Sequence, residues 1–311
     1  MSIDSDLGRL LALKGRVLSF KDSSYDYDYW EKGCILIEGG LIKSVGDVSA
    51  CFIPETTQIV DYGDDLILPG FIDAHAHYPQ MNVIASFGAK LIDWLNNYTF
   101  PEEAKFSDQN YAAAVAKFFL NETIKNGYTT SAVFCTVHPG SVEAFFSEAE
   151  ILGLRMIAGK VLMDRNAPRN LCDTPQHSYD QSKELINKWH NKNRALYAIT
   201  PRFAPTSTPQ QLEVSAALYK EFEGVYIQSH VSENIDEIAW VTKLFPQVSS
   251  YLEVYNKFNL LGPRTLYGHG IHFSDTDIEM LKETDASIIH CPTSNLFLGS
   301  GLFEYEKFKN I

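Results

Sequence analysis

Two hydrophobic rhythms divide this chain. Up to residue 65 the apolar positions fall in short runs: Gly15-Arg-Val-Leu-Ser-Phe20, Cys34-Ile-Leu-Ile-Glu38 and Leu41-Ile-Lys-Ser-Val45, with Gly39-Gly40 between the last two. Runs this short, two of them joined by a glycine pair, predict strands and a hairpin. From residue 66 onward, strand-like runs alternate with longer amphipathic stretches. The runs lie at 67–73, 128–134, 155–162, 195–200, 225–230, 265–269 and 286–290. Between them, Ser107 or Asp108 is placed to cap a helix that ends before Gly127, and residues 142–152 read as a second helix. Thr208 caps a third, with Pro209 at its first position and Gly224 past its end. Alternation of this kind predicts an α/β fold with a parallel sheet and helical crossovers.

Bulk properties narrow the class. At 311 residues, with 45% hydrophobic and 21% charged residues, the chain has ample length for a buried core and the balance of a globular protein. A formal net charge of −13 without a basic patch argues against nucleic acid or an anionic membrane as partner. The five cysteines (Cys34, Cys51, Cys135, Cys172, Cys291) are odd in number and form no CxxC pair. A disulfide framework is therefore not expected, and a reducing cytoplasm is. Met-Ser-Ile-Asp-Ser-Asp at the start lacks the basic segment of a signal peptide, and apolar runs such as Ala132-Val-Phe-Cys-Thr-Val137 are too short for a bilayer.

Histidines at the ends of the apolar runs carry the chemistry. In Leu66-Ile-Leu-Pro-Gly-Phe-Ile-Asp-Ala-His-Ala-His-Tyr-Pro-Gln80 the first barrel run ends in His75 and His77. Side chains alternate on a strand, so residues two apart share a face, and these two imidazoles can grip one metal ion. His230 ends a later run and Glu233 follows it by three residues. His269 and His290 end two more, the latter continuing as Cys-Pro-Thr-Ser-Asn295. Polar groups gathered at the carboxyl ends of successive strands point to a (β/α)8-type TIM barrel with its site on that face.

In this order, His-x-His, His-x-x-Glu, His and His-Cys-Pro-x-Ser-Asn, the chain resembles the amidohydrolase superfamily of metal-dependent hydrolases. Within it the chain is similar to the guanine deaminase family. The supporting motifs are Pro69-Gly-Phe-Ile-Asp-Ala-His-Ala-His-Tyr-Pro-Gln80, Trp94-Leu-Asn-Asn-Tyr-Thr-Phe-Pro-Glu102, Gly159-Lys-Val-Leu-Met-Asp164, Thr200-Pro-Arg-Phe203 and Gln228-Ser-His-Val-Ser-Glu233. The resemblance extends from about residue 15 to the end. It implies a small β-sandwich, begun by residues 1–65, and a barrel over 66–311.

The expected metal ligands are His75, His77 and His230. Zinc suits imidazoles with one open position, and iron(II) suits the same set. By resemblance Glu233 is the proton carrier and His269 the residue that orients or activates the attacking water, while His290 is assigned a supporting role. His77, His230 and Glu233 are also expected to touch the substrate. Gln80, Arg202 and Phe203 are the expected base-recognition residues, the first two by hydrogen bonds and Phe203 by its apolar face, with Trp94 lining the pocket. The implied reaction is hydrolysis of guanine to xanthine and ammonia by a homodimer.

An eighth barrel strand and its metal-binding Asp, both implied by the resemblance, have no counterpart before Ile311. A truncated, impaired product is thus expected. The cytidine-type zinc deaminases are excluded because no Pro-Cys dipeptide is present, and an HExxH metalloprotease helix is missing too. Binuclear relatives need a lysine at the end of the fourth strand, where this chain has Thr200-Pro-Arg202. Two alternatives stay open: another mononuclear amidohydrolase acting on a different heterocycle, and a non-catalytic purine-binding fragment.

Overall fold

The computed structural model describes residues 10–21, 26–87 and 90–309. The N-terminal hexapeptide and Ile311 discussed above lie outside them. The chain forms two compact units, Met1–Gly70 and Phe71–Ile311.

In the first unit, β1 (Leu10–Phe20), β2 (Tyr27–Glu38), β3 (Leu41–Asp47) and β4 (Gln58–Ile67) form one sheet in the order β3-β2-β1-β4. Gly39 and Gly40 turn the β2–β3 hairpin at φ +56° and +76°, the left-handed conformations that such a two-residue turn requires. The first strand is longer than its sequence run, and β4 has no counterpart among the expected runs. Its sequence, Gln-Ile-Val-Asp-Tyr-Gly-Asp-Asp-Leu-Ile, is too charged to read as apolar, yet it pairs parallel to β1. Backbone pairing, rather than burial of side chains, makes it a strand.

The second unit is a nearly closed parallel barrel. Seven strands, β5 (Phe71–His77), β6 (Tyr128–Phe134), β7 (Arg155–Gly159), β9 (Ala195–Pro201), β10 (Tyr226–Val231), β11 (Thr265–His269) and β12 (Ser287–Ile289), pair in chain order. The two-residue β8 (Val161–Leu162) lies beside β9. Among the described residues β5 and β12 are the two edges. Each of the seven strands is followed by a helix, such as Gln109–Lys125 after β5, which Asp108 caps by accepting from the Asn110 and Tyr111 amides. Tyr197, Tyr255, Tyr267, Phe145 and Met156 are fully buried around this sheet. Each large apolar side chain there contributes about 2 kcal/mol by leaving water.

Two local expectations change. The run 155–162 is broken at Lys160, whose wholly buried ammonium turns aside to reach Asp173 at 2.6 Å. A charge that deep is tolerated only with a partner, so the strand yields to the ion pair. The second helix begins at Pro139, before the expected 142, because Pro139 occupies a position where its missing N–H costs nothing.

Candidate active site

Four imidazoles meet at the carboxyl ends of the strands. Ring nitrogens of His75, His230 and His269 lie within 4.8 Å of one another. His77 joins them through its Nε2, 3.0 Å from Nε2 of His230. The expected ligands His75, His77 and His230 therefore come together, and His269 stands in the same cluster. Strand geometry delivers this arrangement, since β5 presents both of its histidines on one face while β10 and β11 each present one. Room for His75 comes from Gly268 on β11: a Cβ there would sit 2.5 Å from the His75 ring. His269 itself, and Ser232 beyond β10, hold left-handed φ angles of +79° and +48°. Non-glycine residues adopt these only when the surroundings impose them, and such strain gathers at functional sites.

The donors suit a divalent metal. Burial, reinforced by the neighbouring imidazoles and Arg202, holds His75, His77 and His230 well below the ordinary histidine range. At neutral pH they are uncharged and carry free lone pairs, the form that binds a metal. Nδ1 of His230 donates to the Arg202 carbonyl at 2.6 Å, which leaves its Nε2 as the lone-pair nitrogen facing the cluster. Nδ1 of His269 likewise donates to Oδ1 of Asn295 at 2.8 Å. Anchoring one ring nitrogen so that the other faces inward is how ligating histidines are oriented. Nδ1 of His77 is buried without a hydrogen-bond partner.

Glu233 stands where the chain leaves β10, next to the N-cap Asn234 of helix Ile235–Leu244. It is 3% exposed, with Oε2 3.4 Å from Nε2 of His269. Burial pushes its carboxyl up to about 8, against the pull of Arg202. The loop around it is fixed by Glu237, whose Oε2 accepts from the Glu233 and Asn234 amides at 3.0 and 3.2 Å. The other oxygen of Glu237 accepts from the Tyr251 hydroxyl at 2.8 Å. Tyr255 ties the opposite side, donating to the His230 carbonyl at 2.8 Å. Sequence reading missed both Glu237 and Tyr251. The Asn-x-x-Glu capping spacing from Asn234 was the available signal for Glu237.

A cavity of about 760 Å³ opens from the imidazoles, lined among others by Gln80, Trp94, Arg202, Phe203, His230 and Glu233. All of the expected site residues thus reach one space. Arg202 is 2% exposed and its Nη1 contacts both oxygens of Glu103 at 2.7 Å, a partner the sequence reading did not supply. Phe203 is buried against Trp240, and Trp94 has an unpartnered indole N–H. His290 also lines the cavity, exposed and stacked on Phe303 with ring centroids 4.8 Å apart. His138, His177, His190 and His272 do not line it.

Comparison with known proteins agrees with this geometry. Residues 66–310 match the amidohydrolase family. Guanine deaminase of Escherichia coli is 47% identical over 279 residues, 89% of this chain and 64% of that protein. A solved structure of the E. coli guanine deaminase superposes with a TM-score of 0.93 at 44% identity, covering 95% of this chain and 71% of that one. Guanine deaminase from C. acetobutylicum, solved with guanine in its active site, gives a TM-score of 0.89 at 36% identity over 97% of this chain and 72% of the other. The chain spans 64% of the length of the E. coli curated relative and 56% of a probable guanine deaminase from Deinococcus radiodurans. By sequence, by fold and by the order of its strand-end histidines, the chain belongs to the amidohydrolase family and, within it, to the guanine deaminases.

Proposed function

We propose that this site hydrolyses guanine to xanthine and ammonia. The observation that carries the reading is the Glu233 carboxyl, buried 3.4 Å from His269 among the clustered imidazoles and facing the cavity that Gln80, Arg202 and Phe203 also line. His75, His77 and His230 are the metal ligands, with His269 beside them, and zinc is the ion that three uncharged nitrogen donors with an open fourth position favour. The chemistry supplied by the group when bound is acidification of water, whose pKa it lowers to about 7.

The chain's own residues do the rest. Glu233 holds a proton near neutral pH because burial lifts its pKa to about 8. It therefore can deliver that proton at a carboxyl oxygen to the ring nitrogen beside the attacked carbon, and recover one from the attacking water. His269, its Nδ1 committed to Asn295, keeps Nε2 turned toward Glu233 and the reacting water. Arg202 presents donors to the carbonyl edge of the purine, Gln80 reads the adjacent edge, and Phe203 and Trp94 close the apolar side.

Ammonia release from guanine by the zinc-reconstituted chain tests the proposal. Turnover that Glu233→Gln abolishes supports it; purine binding without ammonia sinks it in favour of a non-catalytic binding protein.

A further inference from the structure

Glu103 has no part in the reading above, yet it is buried to 0% exposure behind the cavity wall. It ends the short helix Phe100–Glu103. Both of its oxygens accept from Nη1 of Arg202 at 2.7 Å, so a single guanidinium nitrogen is consumed. Among the described residues Glu103 is the only hydrogen-bond partner of that guanidinium, which leaves Nε and Nη2 as donors beside the cavity. The ring of Phe100, on the same helix, lies 5.5 Å from the guanidinium carbon. The Gln80 side chain adds to the pull of Arg202 in favouring the ionised form of Glu103. A carboxylate accepts only, so the Gln80 NH2 must face it, and the Gln80 carbonyl is left turned away, toward the cavity. One buried carboxylate thus bonds Arg202 and is influenced by Gln80, the two polar recognition residues.

Charge follows from the same contact. Arg202 cannot lose its proton, so without Glu103 the cavity wall would carry a net positive charge in a low-dielectric setting, where it would attract an anionic ligand strongly. With Glu103 ionised beside it, the pair is neutral.

We infer that Glu103 is a specificity-determining positioning residue: it cancels the Arg202 charge and fixes the donor–acceptor order of Arg202 and Gln80, so that the cavity takes a neutral purine and turns away an anionic one. This rests on the guanine reading for which edge is presented, and not for the selection by charge.

The test measures binding of hypoxanthine, a neutral purine, and urate, an anionic one at neutral pH, to the zinc-loaded chain and to its Glu103→Gln variant. The proposal expects the variant to shift the affinity ratio toward urate at least tenfold, and to raise KM for guanine by a larger factor than it lowers kcat. A merely structural role weakens both ligands alike, and an unchanged ratio overturns the proposal. Should Glu103→Gln fail to fold, Glu103→Asp decides, since it keeps the charge but withdraws the carboxylate. Hypoxanthine affinity should then fall at least tenfold with the ratio unchanged, and an unaltered affinity overturns the proposal equally. Wild type that binds hypoxanthine but releases no ammonia from guanine sinks the guanine reading alone, because the ratio is still measured.

Discussion

Glu103 and Glu233 are two buried glutamates, at 0% and 3% exposure, the first behind the wall of the cavity and the second in its lining, and they are set for opposite tasks. Burial raises both. At Glu103 the Arg202 guanidinium, bonded to both oxygens, pulls the carboxyl back toward ionisation. Glu233 has no such cation bonded to it and its carboxyl rises to about 8. Burial alone therefore does not assign a role: a fixed cation makes a carboxylate a permanent charge for recognition, and its absence makes a carboxyl a mobile proton for catalysis.

The sharpest way to break this contrast is to remove the mobile proton. Glu233→Gln should lower kcat for guanine by about 10²–10⁴, the usual worth of a general acid–base group, while purine affinity measured by calorimetry stays within about threefold of wild type. A variant that keeps turnover would show that the proton travels elsewhere. Next comes Arg202→Met, which strands the Glu103 charge in the interior. Urea unfolding should report a loss of about 3–5 kcal/mol at pH 7, whereas Glu233→Gln should leave stability nearly untouched; equal losses would erase the distinction.

Glu237 offers a subtler probe. Its folded pKa is raised to about 7, chiefly by burial and then by Glu233, above its unfolded value near 4.3. The folded state thus binds the proton more tightly, so this contribution is fully present below about pH 4.3 and is lost as pH rises through 7. Glu237→Gln should flatten the fall in unfolding free energy between pH 5 and 8 by up to about 3 kcal/mol. An identical pH slope in the variant would remove Glu237 from the titrating groups. The smallest effect is expected from Gly268→Ala, which pushes a methyl into the His75 ring. Zinc affinity, read by chelator competition, should drop about tenfold or slightly more, with both glutamates left in place.

Much of this was legible in the chain because the signals were local. The runs at 128–134 and 265–269 became strands with the same bounds, and of the five histidines that end barrel runs His75, His77, His230 and His269 form the cluster while His290 stacks apart on Phe303. Glu103 was not legible. In Phe100-Pro-Glu-Glu103 it looks like any acidic residue opening a helix, and only a partner 99 residues away makes it an interior charge. Lys160 hid for the same reason, since the run 155–162 reads as continuous until Asp173 is folded beside it. The β4 strand eluded an apolar pattern because its pairing with β1, not the burial of its side chains, defines it. Periodicity reports which face is buried; it carries no record of which distant charge shares that burial.

Trp94 gives the cavity an optical gauge. Of the four tryptophans in the chain, Trp30, Trp94, Trp189 and Trp240, Trp94 is the one found in the cavity lining among the described residues. Its indole N–H is buried without a protein partner, while other atoms of the residue line the space a ligand would enter. An incoming heterocycle that packs against it will change its fluorescence before any bond is broken. Stopped-flow emission can then time the arrival of the ring separately from the release of ammonia, with no label attached to the protein.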